Sequence, residues 1–469
     1  MKRNLLRFVL LSAMSFVTLS ASALRGGETP DKNYLCFTAG EADSWVNVYV
    51  NGAPAAVTLQ MSTDGTTWNE YTLNNRITLA NIGDKLYFRN AKTASEVNGF
   101  SVSSADYYNF EVYGSIAASG NVMSLVDKNC ETTTIPCDYC FYSLFEYCDA
   151  LTTAPELPAT TLTEGCYKSM FYYCNALTTA PELPATTLAK NCYENMFYDC
   201  SSLTTAPELP ATTLVTSCYK QMFRNCSQLN DIKVAFTTFT SATTLWTSSV
   251  PRDGTFSCPA NLEPSFNSSH IPYTSTKPWI VKNTYDLTIS SESGWASMCV
   301  NLPLQVPTGV EVYYASDVEG TTVELTQITA GTVMAPRTAV IVKGAKGTVS
   351  FPIAGEAGTS YTNLFQGSSV AKACNAGENY VLNASKSSDT NVHFSIYNGT
   401  TLTNHKAYLP KSAVGGATGS IQFRFDDATA ISTIETESSD DVLYNLAGQR
   451  VSDDYRGIVI RNGKKMFNL

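Results

Sequence analysis

At 469 residues the chain has room for two to four domains, taking roughly 100–200 residues for each. Only 15% of its residues are charged, against roughly 25% in an average soluble protein, and the net charge is −10. That balance argues against a nucleic-acid partner, which needs clustered Lys and Arg. Past the N-terminus no run approaches the roughly 18 apolar residues of a membrane span.

The first element reads as a secretion signal. Lys2, Arg3 and Arg7 supply a positive start, Leu10 to Leu19 is mainly apolar, and Ala21-Ser22-Ala23 is a small-residue cleavage site. Cleavage is expected after Ala23. Cys36 lies too far downstream of the apolar run for a lipid anchor. Residues 24–115 then alternate apolar and polar in short runs, among them Val46 to Val50, Ile77 to Leu79, Leu86 to Phe88 and Phe110 to Tyr113. Turn signals such as Asp64-Gly65 separate the runs, which predicts a β-sandwich-like domain.

Residues 116–245 carry an internal repeat. Cys137 to Leu162, Thr163 to Leu188 and Ala189 to Leu214 align without gaps, and a decaying fourth copy runs from Val215 to Thr240. The block LTTAPELPATTL is identical in the first three, and the 26-residue period falls in the range of roughly 20–29 for leucine-rich repeats. Within a unit, Cys166, Met170 and Cys174 are spaced i, i+4, i+8 and Phe171 joins them, which predicts a short helix with one buried face. Leu177 to Leu183 reads as extended, because Pro181 and Pro184 block a helix. One unit cannot cover its own apolar side chains, so stacking must bury them. Asn121 to Leu125 and Cys130 are expected to cap one end, and residues 246–282 to form the other cap and a linker.

Eight of the fourteen cysteines lie on this ladder: Cys140, Cys166, Cys192, Cys218, Cys148, Cys174, Cys200 and Cys226. Eight helical residues between the two in a unit would set them roughly 12 Å apart, beyond the roughly 4.4–6.8 Å of a disulfide. Buried thiols are therefore expected. No His accompanies the ladder, so neither a metal nor a cofactor is expected. The pattern C-Y-x2-M-F-x2-C-x2-L-T-x-A-P-x-L-P, over roughly residues 130–245, resembles the BspA-type leucine-rich repeats of surface proteins from anaerobic Gram-negative gut and oral bacteria. The first copy departs from it, with Leu144 in place of Met and Phe141 after the cysteine. The resemblance implies an exported protein that binds host or bacterial partners, and it brings no catalytic residues.

Short strand-like runs return over residues 283–428, including Tyr285 to Ile289, Val310 to Tyr314 and Ala339 to Val342, and predict a second β-sandwich-like domain. An acidic Ser/Thr-rich linker follows at 429–441. Residues 442–469 form a terminal segment in which Asn462-Gly463 signals a hairpin, and this tail resembles the C-terminal sorting modules of exported proteins in the same bacteria. The fold class expected is mixed but mainly β: a short leucine-rich-repeat solenoid flanked by β-sandwich-like domains.

Little in the sequence points to chemistry. His270, His393 and His405 are the only histidines, and neither H-E-x-x-H nor G-x-S-x-G occurs. No enzyme is expected. The repeat instead sets Thr152, Thr178 and Thr204 in one row and Glu156, Glu182 and Glu208 in another, either as a solvated face or as a binding strip. The function expected is an adhesin-like binding protein, outside the cell or on its outer surface, that meets a host or bacterial protein or glycan. A glycan-active enzyme within 283–428, marked by two carboxyls facing each other roughly 5–10 Å apart, is one alternative. A structural component of an extracellular assembly is another.

Overall fold

The computed structural model describes residues 32–425, apart from 55, 252, 273–278 and 385–391, together with strands at 443–445, 450–451, 457–461 and 464–468. The expected secretion signal and the 429–441 linker lie outside the described residues. The fold is mainly β, and among the described residues there is no α-helix.

The N-terminal region alternates as its sequence demands. Strands β1 (Leu35–Ala39), β2 (Ser44–Asn51), β3 (Leu59–Ser62), β4 (Asn69–Glu70), β5 (Ile77–Leu79), β6 (Lys85–Asn90), β7 (Tyr107–Tyr113) and β8 (Ile116–Ser119) make two sheets. One has the order β4-β3-β6-β1-β8 and the other β5-β2-β7. Every second residue points into the space between them. Phe37 on β1 and Phe88 on β6 meet Phe110 on β7 with ring centroids 4.9 Å and 5.2 Å apart.

No polar layer separates these sheets from the repeats. β8 pairs in parallel with β9 (Leu151–Thr153) of the first repeat. The Phe110 N–H donates to Leu144 O at 2.7 Å and the Ser101 N–H to Cys140 O at 2.9 Å. One apolar core therefore runs from Leu35 to Trp279, and the expected border at 115/116 falls between neighbouring segments of it. The N-terminal sheets cover the end of the repeat stack.

Within the repeats the expected helix is corrected. In its place the chain makes consecutive four-residue turns, each closed by a residue of positive φ. These are Gly165, Ser169 and Tyr173 in the second unit, and Asn191, Asn195 and Asp199 in the third. The Lys168 and Tyr172 N–H groups bond three residues back, to Gly165 and Ser169. Alternate N–H groups instead cross to the next unit: Phe145 to Met170 O, Phe171 to Met196 O and Phe197 to Met222 O, at 2.8–2.9 Å. A left-handed residue every fourth position forbids a helix, and Gly, Asn and Asp tolerate that conformation best. A four-residue turn still returns i, i+4 and i+8 to the same side. Cys166, Met170, Phe171 and Cys174 are thus all fully buried, as the spacing requires.

Register along the stack is strict. Thr153, Thr179, Thr205 and Asp231 bridge in parallel, and Leu151, Leu177, Leu203 and Leu229 are fully buried behind them. Phe145, Phe171, Phe197 and Phe223 stack at 5.4–5.9 Å with interplanar angles of 5–7°. Such offset ring pairs add roughly 0.5–1.5 kcal/mol each beyond burial. The stack also runs past its expected end at 245. Trp246 takes the position of Met222 and accepts the Phe223 N–H, and β10 (Asp231–Lys233), β11 (Thr255–Ser257) and β12 (Ile280–Lys282) extend the parallel ladder.

The following region is layered more deeply than a two-sheet sandwich. Its central sheet has the order Trp295–Met298, Val340–Lys343, Glu311–Glu319, Thr322–Ile328, Gln422–Phe425. Val340 and Val342 face one apolar cluster with Leu287 and Phe351. Ile341 faces another with Tyr380, Phe394 and Leu409 of a four-stranded sheet. Both faces of the Val340–Lys343 strand are covered, and it accordingly reads as a continuous apolar run from Val340 to Val342. The strands after residue 425 form a separate unit, a four-stranded sheet in which Gly457–Arg461 and Lys464–Asn468 pair antiparallel on either side of Asn462-Gly463.

Candidate functional site

The glutamate row does not face solvent as a uniform strip. Glu208 lies between Pro207 and Leu209, and its side chain is only 5% exposed. One carboxylate oxygen accepts the Asn301 N–H at 2.7 Å, and the other lies 3.1 Å from His405 Nε2. The Asn301 side-chain amide donates to Leu183 O at 2.9 Å. One repeat earlier, Glu182 accepts the Ser369 N–H at 3.2 Å and the Ser369 hydroxyl at 2.9 Å, with Arg337 Nε 3.5 Å away. In the first repeat, Glu156 accepts from Asn33 Nδ2 at 3.0 Å, and Lys372 Nζ stands 3.7 Å away; its side chain keeps 35% exposure. The expectation of a solvated or ligand-binding acid strip is corrected for Glu182 and Glu208. Residues 299–405 of the same chain cover them, because buried carboxylates need donors and this segment supplies them.

The threonine row divides differently. Thr178 and Thr204 are exposed, whereas Thr152 is half-buried and donates to Ile116 O at 3.0 Å. Two further rows lie on the four-residue turns. Tyr172 and Tyr198 stack at 4.7 Å, Tyr147 and Tyr173 at 5.3 Å, and Arg224 sits 5.5 Å over the Tyr198 ring. These tyrosines are exposed or half-buried. Beside them Glu194 bonds to Lys168 at 2.8 Å and Lys220 at 3.0 Å. Burial pushes its carboxyl up, but the two lysines outweigh that and hold it below the usual carboxylate range. The tyrosine row was missed in the sequence, although Tyr173 occupies the position of Tyr147 one repeat earlier.

No nucleophile is set up at the contact between repeats and C-terminal region. Cys299 is fully buried beside Glu182 and Glu208, and burial pushes its thiol well up, the reverse of what a reactive thiolate needs. Burial likewise raises the ladder thiols. The cysteines in the described residues are free. The second cysteine of each repeat donates its S–H to the Phe carbonyl one unit back, as Cys174 does to Phe145 O and Cys200 to Phe171 O, both at 3.1 Å. No group of His, Cys, Asp and Glu that could hold a metal occurs among the described residues.

A cleft of about 520 Å³ opens within the C-terminal region, between the Trp295–Met298 strand and the four-stranded sheet. Among the described residues Glu292 is the sole carboxylate in its lining, and that group is bonded to Lys346. Among the described residues no pair of facing carboxyls, the mark of the glycan-hydrolysing alternative, lines it. No family model matches the chain, and neither the curated proteins nor the solved structures contain a significant match to it.

Proposed function

We propose that this chain is an exported, non-enzymatic binding protein of adhesin type, and that its centre is a leucine-rich-repeat solenoid similar to the BspA repeats. Its partner is a protein or glycan of the host or of a neighbouring bacterium, met outside the cell. Thr152, Thr178 and Thr204, with Glu156, Glu182 and Glu208, were the expected contacts. Coverage of Glu182 and Glu208 moves the reading to the rows left open, Thr178 with Thr204 and the tyrosines at 147, 172, 173 and 198.

One observation carries this reading. Units stacked in strict register repeat the same open side chain at a fixed interval, as in the Tyr172–Tyr198 pair 4.7 Å apart. Several weak contacts can then add along one extended partner. Aromatic side chains with a hydroxyl suit this work, since each offers a large rigid surface and a polar tip.

The test is a glycan and host-protein binding array with the full secreted chain, followed by two triple or double variants. Tyr172→Ser, Tyr173→Ser and Tyr198→Ser together are expected to weaken the partner found by more than any single change. Thr178→Lys with Thr204→Lys probes the other row. Full affinity in both variants, with unchanged melting temperature, overturns the reading.

A further inference from the structure

The first turn of the repeats differs from its successors in holding two sulfurs. Cys137 opens and Cys140 ends a four-residue turn, with Tyr139 at φ 56°. In the second unit the same turn is closed by the Cys166 N–H, which donates to Thr163 O at 3.4 Å. Such a turn brings its end Cα atoms within roughly 7 Å, close to the roughly 4.4–6.8 Å of a disulfide. In the later units Thr163, Ala189 and Val215 take the place of Cys137, so the pairing is confined to the first.

The surroundings are shaped to this second sulfur. Both side chains lie against residues 99–101: Cys137 donates its S–H to Ser101 O at 3.1 Å, and the Phe100 N–H donates to Cys140 Sγ at 3.5 Å. A Cβ at Gly99, whose φ is 145°, would stand 2.1 Å from Cys137 Sγ, so glycine leaves the space that this sulfur fills. Cys140 is fully buried, whereas Cys137 is half-buried between exposed Pro136 and Asp138. A hydrogen bond from Cys140 holds the Cys137 thiol below its ordinary value, and burial pushes Cys140 well up. The outer sulfur therefore ionises first, and the inner one waits beside it as a thiol.

We propose that Cys137 and Cys140 are a redox-active dithiol, which a low-molecular-weight disulfide oxidises to a bond within this turn. The Cys137 thiolate attacks one sulfur of the external disulfide RSSR. Its S–S bond breaks, and RS⁻ leaves and takes up the proton that Cys137 released. Cys140 then attacks the Cys137 sulfur of the mixed disulfide, and its proton goes to the second departing RS⁻. Two thiols of the chain are oxidised, and one external disulfide is reduced to two thiols. Once oxidised, Cys137 no longer donates to Ser101 O, so the change is felt where residues 99–101 meet the first repeat.

In the test the full chain is reduced, desalted and exposed to glutathione disulfide, then unfolded in iodoacetamide and digested for mass spectrometry. The peptide holding Cys137 and Cys140 is expected to lose two hydrogens and escape alkylation, whereas Cys166, Cys192 and Cys218 are labelled. Dithiothreitol before unfolding is expected to restore both labels. In Cys140→Ser the reaction stops one step earlier, and Cys137 carries one glutathionyl group. In Cys137→Ser no glutathione is taken up, and Cys140 is labelled as in the reduced chain. Full alkylation of both cysteines in the unsubstituted chain after exposure to glutathione disulfide overturns the pair, and that outcome needs no variant to fold. Glutathione on a ladder cysteine instead of Cys137 in Cys140→Ser overturns the assignment of the attacking sulfur.

Discussion

Glu156, Glu182 and Glu208 sit in three copies of one identical dodecamer, yet the structure ranks them. Replacing each with Ala in turn separates the two views. At Glu208 the change leaves the buried Asn301 N–H without its 2.7 Å acceptor and removes the 3.1 Å contact to His405. A hydrogen bond to a charged group contributes roughly 1.5–3 kcal/mol, and an orphaned buried donor costs roughly 1–3 kcal/mol. The two overlap, so a loss of about 3–4 kcal/mol is expected. Glu182 has three hydroxyl or amide donors, the Ser368 hydroxyl being the longest at 3.4 Å, and a longer contact to Arg337, at 12% side-chain exposure, and should lose about 2 kcal/mol. Glu156, at 35% exposure with Lys372 at 3.7 Å, belongs with half-exposed ion pairs that contribute at most about 1 kcal/mol. Urea unfolding of the three variants reads these values, and hydrogen exchange at Asn301 reads the local contact. Glu208→Gln keeps an acceptor and should lose less than half as much as Glu208→Ala. Equal losses at the three positions, or none at Glu208, would refute the docking of residues 299–405 on this row.

Leu177 is fully buried between flanking rungs, so Leu177→Asp should lower stability by several kcal/mol, and an unchanged melting temperature would contradict the stacked core. Glu194 is held below the usual carboxylate range, so its contribution is present above the unfolded value and lost as pH falls through the folded one. Melting temperature should therefore drop below about pH 4, and Glu194→Gln should flatten that drop, with thermal melts across pH as the check. The ladder thiols are buried and hard to ionise, so alkylation of the native chain should spare them and alkylation after unfolding without reductant should label them. Four or more ladder disulfides by mass spectrometry would overturn this.

Apolar periodicity settled much before any tertiary contact was known. Val46 and Val48 alternate with polar residues because a sheet with one covered face demands period two, and the N-terminal strands lie where that alternation puts them. The 26-residue identity likewise required stacking, since Cys166, Met170 and Phe171 can be buried only by neighbouring units. The same spacing could not distinguish a helix from successive four-residue turns, because both bring i, i+4 and i+8 to one side. What decides is the hydrogen bonding of alternate N–H groups to the next unit, such as Phe171 to Met196 O, and this exists only once units are stacked. Identity between repeats also concealed the fate of the acid row. A local sequence fixes which residues a rung presents outward, but not what a segment about 100–200 residues further along places against them. Glu208 and Glu156 have the same neighbours in sequence and differ in burial because Asn301 and His405 arrive at only one of them. Long-range packing, with the desolvation it imposes on a carboxylate, made that choice.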